Sequence, residues 1–149
     1  MKILLAMDDS PFSEAALHAV IERFKPQGAE VRVITVLDLM NYFTSEEAAK
    51  AYLPEIEEIR RERLKQAEQM LQRAARLLQA AGFTASTGIS EGNPKNRILH
   101  VAEEWHADQI VMGSHGRKGF EHALLGSVSE AVVHHAPCSV EIVRPRSCF

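Results

Sequence analysis

Residues 113–130, GSHGRKGFEHALLGSVSE, contain four glycines among hydroxyl and basic side chains, and three of them, Gly113, Gly116 and Gly126, form a spaced pattern. A phosphate must approach several backbone N–H groups closely, and glycine permits both that approach and unusual φ angles. Ser127 and Ser129 lie at the predicted start of a helix, whose unbonded N–H groups and positive dipole end favour an anion. Arg117 and Lys118 would supply charge. The segment is therefore a candidate phosphate-binding loop, and the alternative is an exposed turn between a strand and a helix.

A second polar cluster, Asp8-Asp9-Ser10, follows the continuous apolar run at residues 2–7, which is typical of a strand buried on both faces. In open parallel sheets, ligands bind outside the carboxyl ends of the strands, where the strand order reverses. If the strands before these two motifs are neighbours, in a winding such as 2-1-3-4-5 or a related one, the motifs face one crevice.

The elements that must position these motifs alternate along the whole chain. Apolar and β-branched runs predict strands at 2–7, 30–38, 83–90, 107–113 and 138–143. Helical spacing and cap signals predict helices over 11–24, 45–81, 94–105 and 127–135, with Pro54 restarting or kinking the second. The alternation predicts an α/β fold: a single doubly wound five-stranded parallel sheet with helices on both faces, Rossmann-like or flavodoxin-like, in one domain over 1–149.

Two features of the helices are interpreted as structural. The charged run at residues 55–65, EIEEIRRERLK, is typical of a solvated helix face. Trp105 keeps helical spacing with Ile98 and Val101, which favours a core position over a stacking platform for a ligand.

Composition and charge exclude several classes of protein. The net charge is −3, with 17 basic and 20 acidic side chains well mixed, so no basic field favours nucleic acid as a partner. No stretch approaches the ~18 apolar residues of a membrane span, and the N-terminus lacks a signal peptide, so a cytoplasmic location is expected. Cys138 and Cys148 lack the spacing of a disulfide framework or a zinc site; we expect Cys138 to be a small buried residue.

The histidines give little support for a metal site. His134 and His135 are adjacent on a helix and therefore point in different directions, with no second pair at ligand spacing. We expect them at the surface or the helix end. His115 lies inside the glycine loop, where it either contacts a ligand or fills the turn.

Other activities of α/β domains find less support in the sequence. A phosphoacceptor receiver domain would need an aspartate after the third strand and a lysine after the fifth, where this chain has Ser90-Glu91-Gly92 and Arg144-Pro145-Arg146. No glycine-rich loop follows the first strand, as a dinucleotide-binding fold or an ATP-dependent ligase would require. No nucleophile or acid–base constellation is evident.

The spacing Gly113-x2-Gly116-x9-Gly126-Ser127 resembles the nucleotide-binding pattern of the universal stress protein family. The similarity extends to ILLAMDDSPFSEAAL, VITVLD and EGNPKNRILHVAEEWHADQIVMG, and so to nearly the whole chain except the long middle helix. It implies a fold of the adenine nucleotide α-hydrolase-like type. It also implies a homodimer in which the fifth strands, SVEIV, pair at the sheet edge.

The resemblance implies roles for individual residues. Asp8 would hold the ribose and adenine end of ATP, ADP or AMP. Three residues would contact the adenine: Ala6, Val36 and Met112. The ribose and phosphates would be wrapped by Gly113, Gly116, Gly126 and Ser127, with donors from Val128 and Ser129. A Mg²⁺ or Mn²⁺ ion would be held mostly by phosphate oxygens and water. Asp9 stands where family members usually have glycine or phenylalanine, and would repel phosphate or help place a metal.

The function expected from these residues is an ATP-binding regulatory or stress-response module, with an unidentified protein partner and without efficient catalysis. The alternative is an enzyme with slow Mg²⁺- or Mn²⁺-dependent ATP hydrolysis or other adenylate chemistry.

Overall fold

A computed structural model describes residues 1–39, 53–116 and 124–146. Strands and helices alternate as predicted. The strands are β1 (Lys2–Ala6), β2 (Glu30–Leu37), β3 (Thr84–Glu91), β4 (Gln109–Gly113) and β5 (Ser139–Val143). The helices are α1 (Pro11–Arg23), α2 (Leu53–Ala80), α3 (Pro94–Glu104) and α4 (Ser127–His135). The predicted helical segment at 45–52 and the predicted site residue Arg117 lie outside the described residues, as do Lys118 and Cys148.

The five strands form one parallel sheet in the order β3-β2-β1-β4-β5. The predicted α/β class is therefore confirmed, and the order is a related doubly wound one rather than the example winding 2-1-3-4-5. β1 pairs directly with both β2 and β4, so the order reverses between β1 and β4. Strand order depends on the direction of each crossover, which the pattern within a strand does not encode.

The reversal distributes the helices over both faces of the sheet, because parallel crossovers are right-handed. On one face α1 and α2 cover alternate β1 residues, and this core includes Ile3, Leu5, Leu17 and Leu78. On the other face α3 and α4 cover the intervening residues, in a core that includes Leu4, Ala6, Ile98 and Val132.

Trp105 belongs to the second core, with 8% of its surface exposed. The guanidinium carbon of Arg32 lies 4.7 Å from the centre of the indole ring, and Lys2 Nζ lies 5.4 Å from it. The predicted core position of Trp105 is confirmed. Its cationic neighbours cover the ring at the end of the sheet opposite the predicted site.

Caps begin two helices at the carboxyl edge of the sheet. Ser10 Oγ accepts from the Ser13 N–H at 3.3 Å, with Pro11 in the first turn of α1. Asn93 Oδ1 accepts from the Asn96 N–H at 3.4 Å, with Pro94 in the first turn of α3. Short polar side chains satisfy N–H groups that the first helical turn leaves without partners.

The long helix α2 is tied to the same edge of the sheet near its N-terminal end. Arg60 Nε donates to Glu91 Oε1 at 2.6 Å, which joins α2 to the last residue of β3. In the part of the chain that the structure describes, no helix is long and apolar enough to cross a membrane.

Candidate functional site

A cleft of about 480 Å³ opens at the carboxyl ends of β1, β2 and β4, where the strand order reverses. Ligand pockets typically have volumes of about 300–1,000 Å³. Four of the predicted residues line it from the strand ends: Ala6, Asp8, Val36 and Met112. Six more line it from the glycine loop and the start of α4: Gly113, Gly116, Gly126, Ser127, Val128 and Ser129. The structure thus brings ten of the eleven predicted residues to one cleft.

The Asp8 carboxylate is fixed by the first turn of α1. Its Oδ1 accepts from the Ser10 N–H and from the Ser13 hydroxyl, both at 2.9 Å. The Asp8 N–H in turn donates to Ser13 Oγ at 2.9 Å. These short-range bonds hold the side chain at the cleft wall in one orientation, which reduces the entropy lost when a ligand binds.

Close approach, rather than backbone conformation, explains the glycines of the loop. A Cβ at Gly113 would stand 2.6 Å from Phe12 Cβ and 2.8 Å from the Phe12 carbonyl carbon, so α1 could not pack on the end of β4. At Gly116 a Cβ would stand 2.8 Å from Asp8 Oδ2, and at Gly126 it would stand 3.3 Å from the Ser114 carbonyl oxygen.

At Gly113, Gly116 and Gly126, the glycines of this loop that the structure describes, φ does not lie in the left-handed region. The glycines with positive φ among the described residues are Gly28, Gly82 and Gly92, which lie in other turns. The physical reason is that the loop is closed by tight packing of its two ends, which ordinary φ values allow.

The two ends of the loop meet at the carbonyl of Ser114. This oxygen accepts from the Gly126 N–H and from Ser129 Oγ, each at 2.7 Å. Ser129 Oγ also lies 3.0 Å from the Gly126 carbonyl oxygen, and Arg144, just after β5, donates to the Leu124 carbonyl. The Ser129 hydroxyl proton is therefore directed at internal carbonyls, which gives this side chain a structural role. Its predicted role as a donor to ligand stays a prediction.

The start of α4 faces the cleft. Gly126 is the N-cap residue, and no described side chain caps this helix. Backbone N–H groups at residues 127–129 therefore combine with the positive end of the helix dipole at the cleft wall. Such an arrangement stabilises a phosphate or another anion.

His115 lies between α1 and the loop and lines the cleft, with 9% of its surface exposed. Its Nδ1 is 3.0 Å from Ser114 Oγ, and its ring centre is 5.2 Å from that of Phe12. His115 thus packs within the turn and also borders the ligand space, so the two roles expected from the sequence are compatible.

Sequence reasoning missed the wall at the β2 side. Asp38, Leu39 and Arg63 line the cleft there, whereas the charged run at residues 55–65 predicts only a solvated helix face. The acid at the end of the second strand was a usable signal for Asp38. The position of Arg63 follows from the packing of α2 against β2 and β3, which helical periodicity does not reveal. Asp9, in contrast, is exposed and is not among the residues lining the cleft.

The remaining candidates lie away from the cleft. His134 and His135 are exposed at the end of α4, as predicted. Cys138 is half-buried beside the second core rather than fully buried, and burial raises the pKa of its thiol. Among the described residues, no group of three histidine, cysteine, aspartate or glutamate side chains is placed to hold a metal ion.

Curated relatives match almost the full chain. Universal stress protein YxiE of Bacillus subtilis is 37% identical over 145 residues, which cover 96% of this chain and 98% of the relative. Universal stress protein Sll1388 of Synechocystis is 32% identical over 149 residues, with coverage of 96% and 97%.

Solved structures share the fold. Universal stress protein UspA from Lactobacillus plantarum superposes with a TM-score of 0.84 at 26% identity, over 97% of both chains. A universal stress protein in complex with cAMP gives a TM-score of 0.66 at 24% identity, over 97% of both chains. The Arabidopsis thaliana protein At3g01520 with AMP bound gives 0.71 at 16% identity, over 99% of this chain and 93% of that one. The model of the Universal stress protein family matches residues 1–144. With that match and a relative at 37% identity over nearly its full length, the chain belongs to the universal stress protein family.

Proposed function

We propose that the chain is a nucleotide-binding regulatory module that takes an adenine nucleotide, ATP by preference, in the cleft between β1 and β4. The observation that carries the proposal is that two kinds of polar group line the same cleft. The uncapped start of α4 and the glycine loop suit phosphates, and the fixed Asp8 carboxylate suits the hydroxyls of a ribose.

The apolar floor of the same cleft suits a purine. Ala6, Ile34, Val36 and Met112 give the floor of the cleft an apolar surface. An apolar surface with a few convergent polar groups is typical of small-molecule sites. The AMP and cAMP bound to the two fold relatives add support, because both ligands are adenine nucleotides.

The proposed module binds rather than turns over its ligand. A Mg²⁺ or Mn²⁺ ion would bind mainly through phosphate oxygens and water, which is how Mg²⁺ commonly binds nucleotides.

Nucleotide occupancy would change the surface that the glycine loop presents to a protein partner, because a ligand shifts a conformational equilibrium by its differential affinity for the two states. We also propose a homodimer through β5, which is an edge strand; pairing would cover its exposed backbone groups. The cytoplasmic location expected from the sequence stays a prediction.

The test is direct binding. In the first experiment the protein is purified without added nucleotide and denatured, and any released adenine nucleotide is identified by chromatography. In the second, the refolded or nucleotide-free protein is titrated with ATP, ADP and AMP by calorimetry. Saturable binding at one site per chain supports the proposal. Absence of both released nucleotide and measurable heat at millimolar nucleotide would overturn it. Sedimentation showing only monomer at micromolar concentration would overturn the dimer alone.

A further inference from the structure

The wall at the β2 side of the cleft carries opposite charges that the proposed phosphate site does not use. Asp38 follows the last residue of β2, two positions after Val36, and both residues line the cleft. Arg63, on α2, lines the same cleft and is half-buried. Among the residues that the structure describes, Arg63 is the only lysine or arginine at the cleft.

This wall is firmly attached to the sheet. One turn before Arg63, Arg60 is bonded to Glu91 at the end of β3. The Gly92 N–H donates to the Leu37 carbonyl at 3.0 Å, which joins the end of β3 to the end of β2. Asp38 and Arg63 each also make an interaction within the protein. The wall is thus built before any ligand binds.

The position of this wall assigns it to one end of a bound nucleotide. Strand β1 lies between β2 and β4, so the β2 wall and the end of β4 are separated by about 10 Å, or two strand spacings. That is comparable to the length of a nucleoside. If phosphates bind at the start of α4, beyond β4, the base extends over Val36 towards Asp38 and Arg63.

The chemistry of the two side chains matches one edge of adenine. A carboxylate accepts hydrogen bonds and a guanidinium only donates them. Adenine presents an amino donor at N6 beside an acceptor at N7, whereas the 6-oxo purines present acceptors at both positions. A carboxylate near position 6 therefore favours the amino group and repels a carbonyl oxygen there.

We propose that Asp38 and Arg63 read the N6/N7 edge of the base, and so select 6-amino purine nucleotides over 6-oxo purine nucleotides. Asp38 accepts from the N6 amino group, and Arg63 donates to N7. The proposal rests on the proposed function, because it assumes that a nucleotide occupies this cleft with its phosphates at α4.

Calorimetric titration of the wild-type protein with ATP, ITP and 7-deaza-ATP is the first part of the test. The expected result is binding of ATP roughly tenfold tighter than of ITP, and a similar loss for 7-deaza-ATP, which lacks the N7 acceptor. These comparisons need no variant, so a folding defect cannot mimic them. Equal affinities for all three nucleotides would overturn the proposal while leaving nucleotide binding intact.

Substitutions then assign the selectivity to the two side chains. In Asp38→Asn the ratio of ATP to ITP affinity should fall to near one, because an amide can donate to a 6-oxo group. In Arg63→Met the affinity for ATP should fall to that for 7-deaza-ATP. Loss of a negative charge alone would strengthen ATP and ITP binding equally. The ratio of ATP to ITP affinity therefore distinguishes recognition of the base from a general electrostatic effect.

Matched controls are Asp9→Asn, an exposed carboxylate outside the cleft lining, and Arg61→Met, an exposed arginine on α2. Both should keep the wild-type ratios. Unchanged ratios in Asp38→Asn and Arg63→Met would overturn the proposal. Failure of the wild-type protein to bind any of the three nucleotides would instead overturn the proposed function on which it rests.

Discussion

Gly116 and Asp8 approach each other so closely that a Cβ at position 116 would stand 2.8 Å from Asp8 Oδ2. The glycine loop after β4 and the acid after β1 are therefore parts of one wall rather than two independent motifs. The Ser10 N–H and the Ser13 hydroxyl hold the other oxygen, Oδ1, so the carboxylate is fixed by the start of α1 and lies against Gly116 of the loop.

Gly116→Ala should weaken nucleotide binding and also lower the free energy of unfolding, while the protein still folds. The displaced atom is the end of a side chain, so the carboxylate can rotate away, but rotation breaks its bonds to the start of α1. A hydrogen bond from the ribose to a charged carboxylate contributes about 1.5–3 kcal/mol. Loss of the proposed bond to Asp8 should therefore lower the affinity for ATP roughly tenfold or more. Calorimetry measures the affinity, and urea unfolding checks the stability.

The control for this substitution is Gly88→Ala, whose Cβ would meet Ile34 Cγ2 at an ordinary 3.7 Å. It should leave affinity unchanged. Equal affinities of Gly116→Ala and the wild-type protein would show that Asp8 does not contact the ligand.

Gly113→Ala should reduce stability more than Gly126→Ala. At position 113 the new methyl group would conflict with the Phe12 backbone, at 2.8 Å from its carbonyl carbon and 2.9 Å from its carbonyl oxygen. Overpacking of this kind costs about 1–3 kcal/mol of the free energy of unfolding. At position 126 the nearest atoms stand at 3.3 Å, and a smaller shift relieves the contact. Urea denaturation curves of the two variants compare them, and the opposite ranking would contradict the described packing of α1 on β4.

Ser127→Ala and Ser129→Ala should separate binding from structure. Ser127 is exposed at the start of α4, whereas Ser129 is 2% exposed and bonded to the Ser114 carbonyl. Ser129→Ala should lower the free energy of unfolding by about 1 kcal/mol, the usual contribution of one hydrogen bond. Ser127→Ala should lower ATP affinity without changing stability. A stability loss confined to Ser127→Ala would contradict the described loop closure.

Cys138 should react slowly with thiol reagents at neutral pH. Burial, and secondarily the nearby charge of Asp108, raise the pKa of the thiol, so less reactive thiolate is present. Since the folded-state pKa is raised, the folded protein favours the neutral thiol. The contribution of this thiol to the free energy of unfolding is fully present below the unfolded-state pKa. It is lost as the pH rises through the folded-state value.

The measurement uses the Cys148→Ser variant, in which Cys138 is the remaining cysteine. Alkylation by iodoacetamide at pH 8 should be slower in the native protein than in urea, and the native rate should rise as the pH increases. A native rate at or above the rate in urea would contradict the raised pKa.

Much of the fold could be predicted from the chain, because each element carries its own local signal. The buried run of β1, the Ser10 cap with Pro11, and the helical spacing of Trp105 each identify an element without reference to its neighbours. The order of the strands could not be obtained in this way. It depends on the direction of crossovers between elements far apart in the chain, and the pairing of β1 with β4 joins segments about a hundred residues apart.

The candidate site, like the fold, could be predicted from the sequence only in part. Ten predicted residues meet at one cleft because they follow strands whose carboxyl ends share an edge. Arg63 could not be predicted, since its place at the cleft depends on how α2 packs against β2 and β3. The physical reason for the glycines also needed coordinates. Contacts with Phe12 and Asp8, rather than φ angles, account for Gly113 and Gly116.

The most direct test of nucleotide binding in the β1–β4 cleft is a two-dimensional NMR titration of the ¹⁵N-labelled protein with ATP. The account predicts that the largest amide shifts occur at Asp8, Gly113, Gly116 and residues 126–129, with smaller shifts at Val36 and Asp38. Residues of the groove between α2 and β3, such as Gln79 and Thr87, should be unaffected. Saturating shifts confined to that groove, or no shift at the glycine loop, would contradict the account.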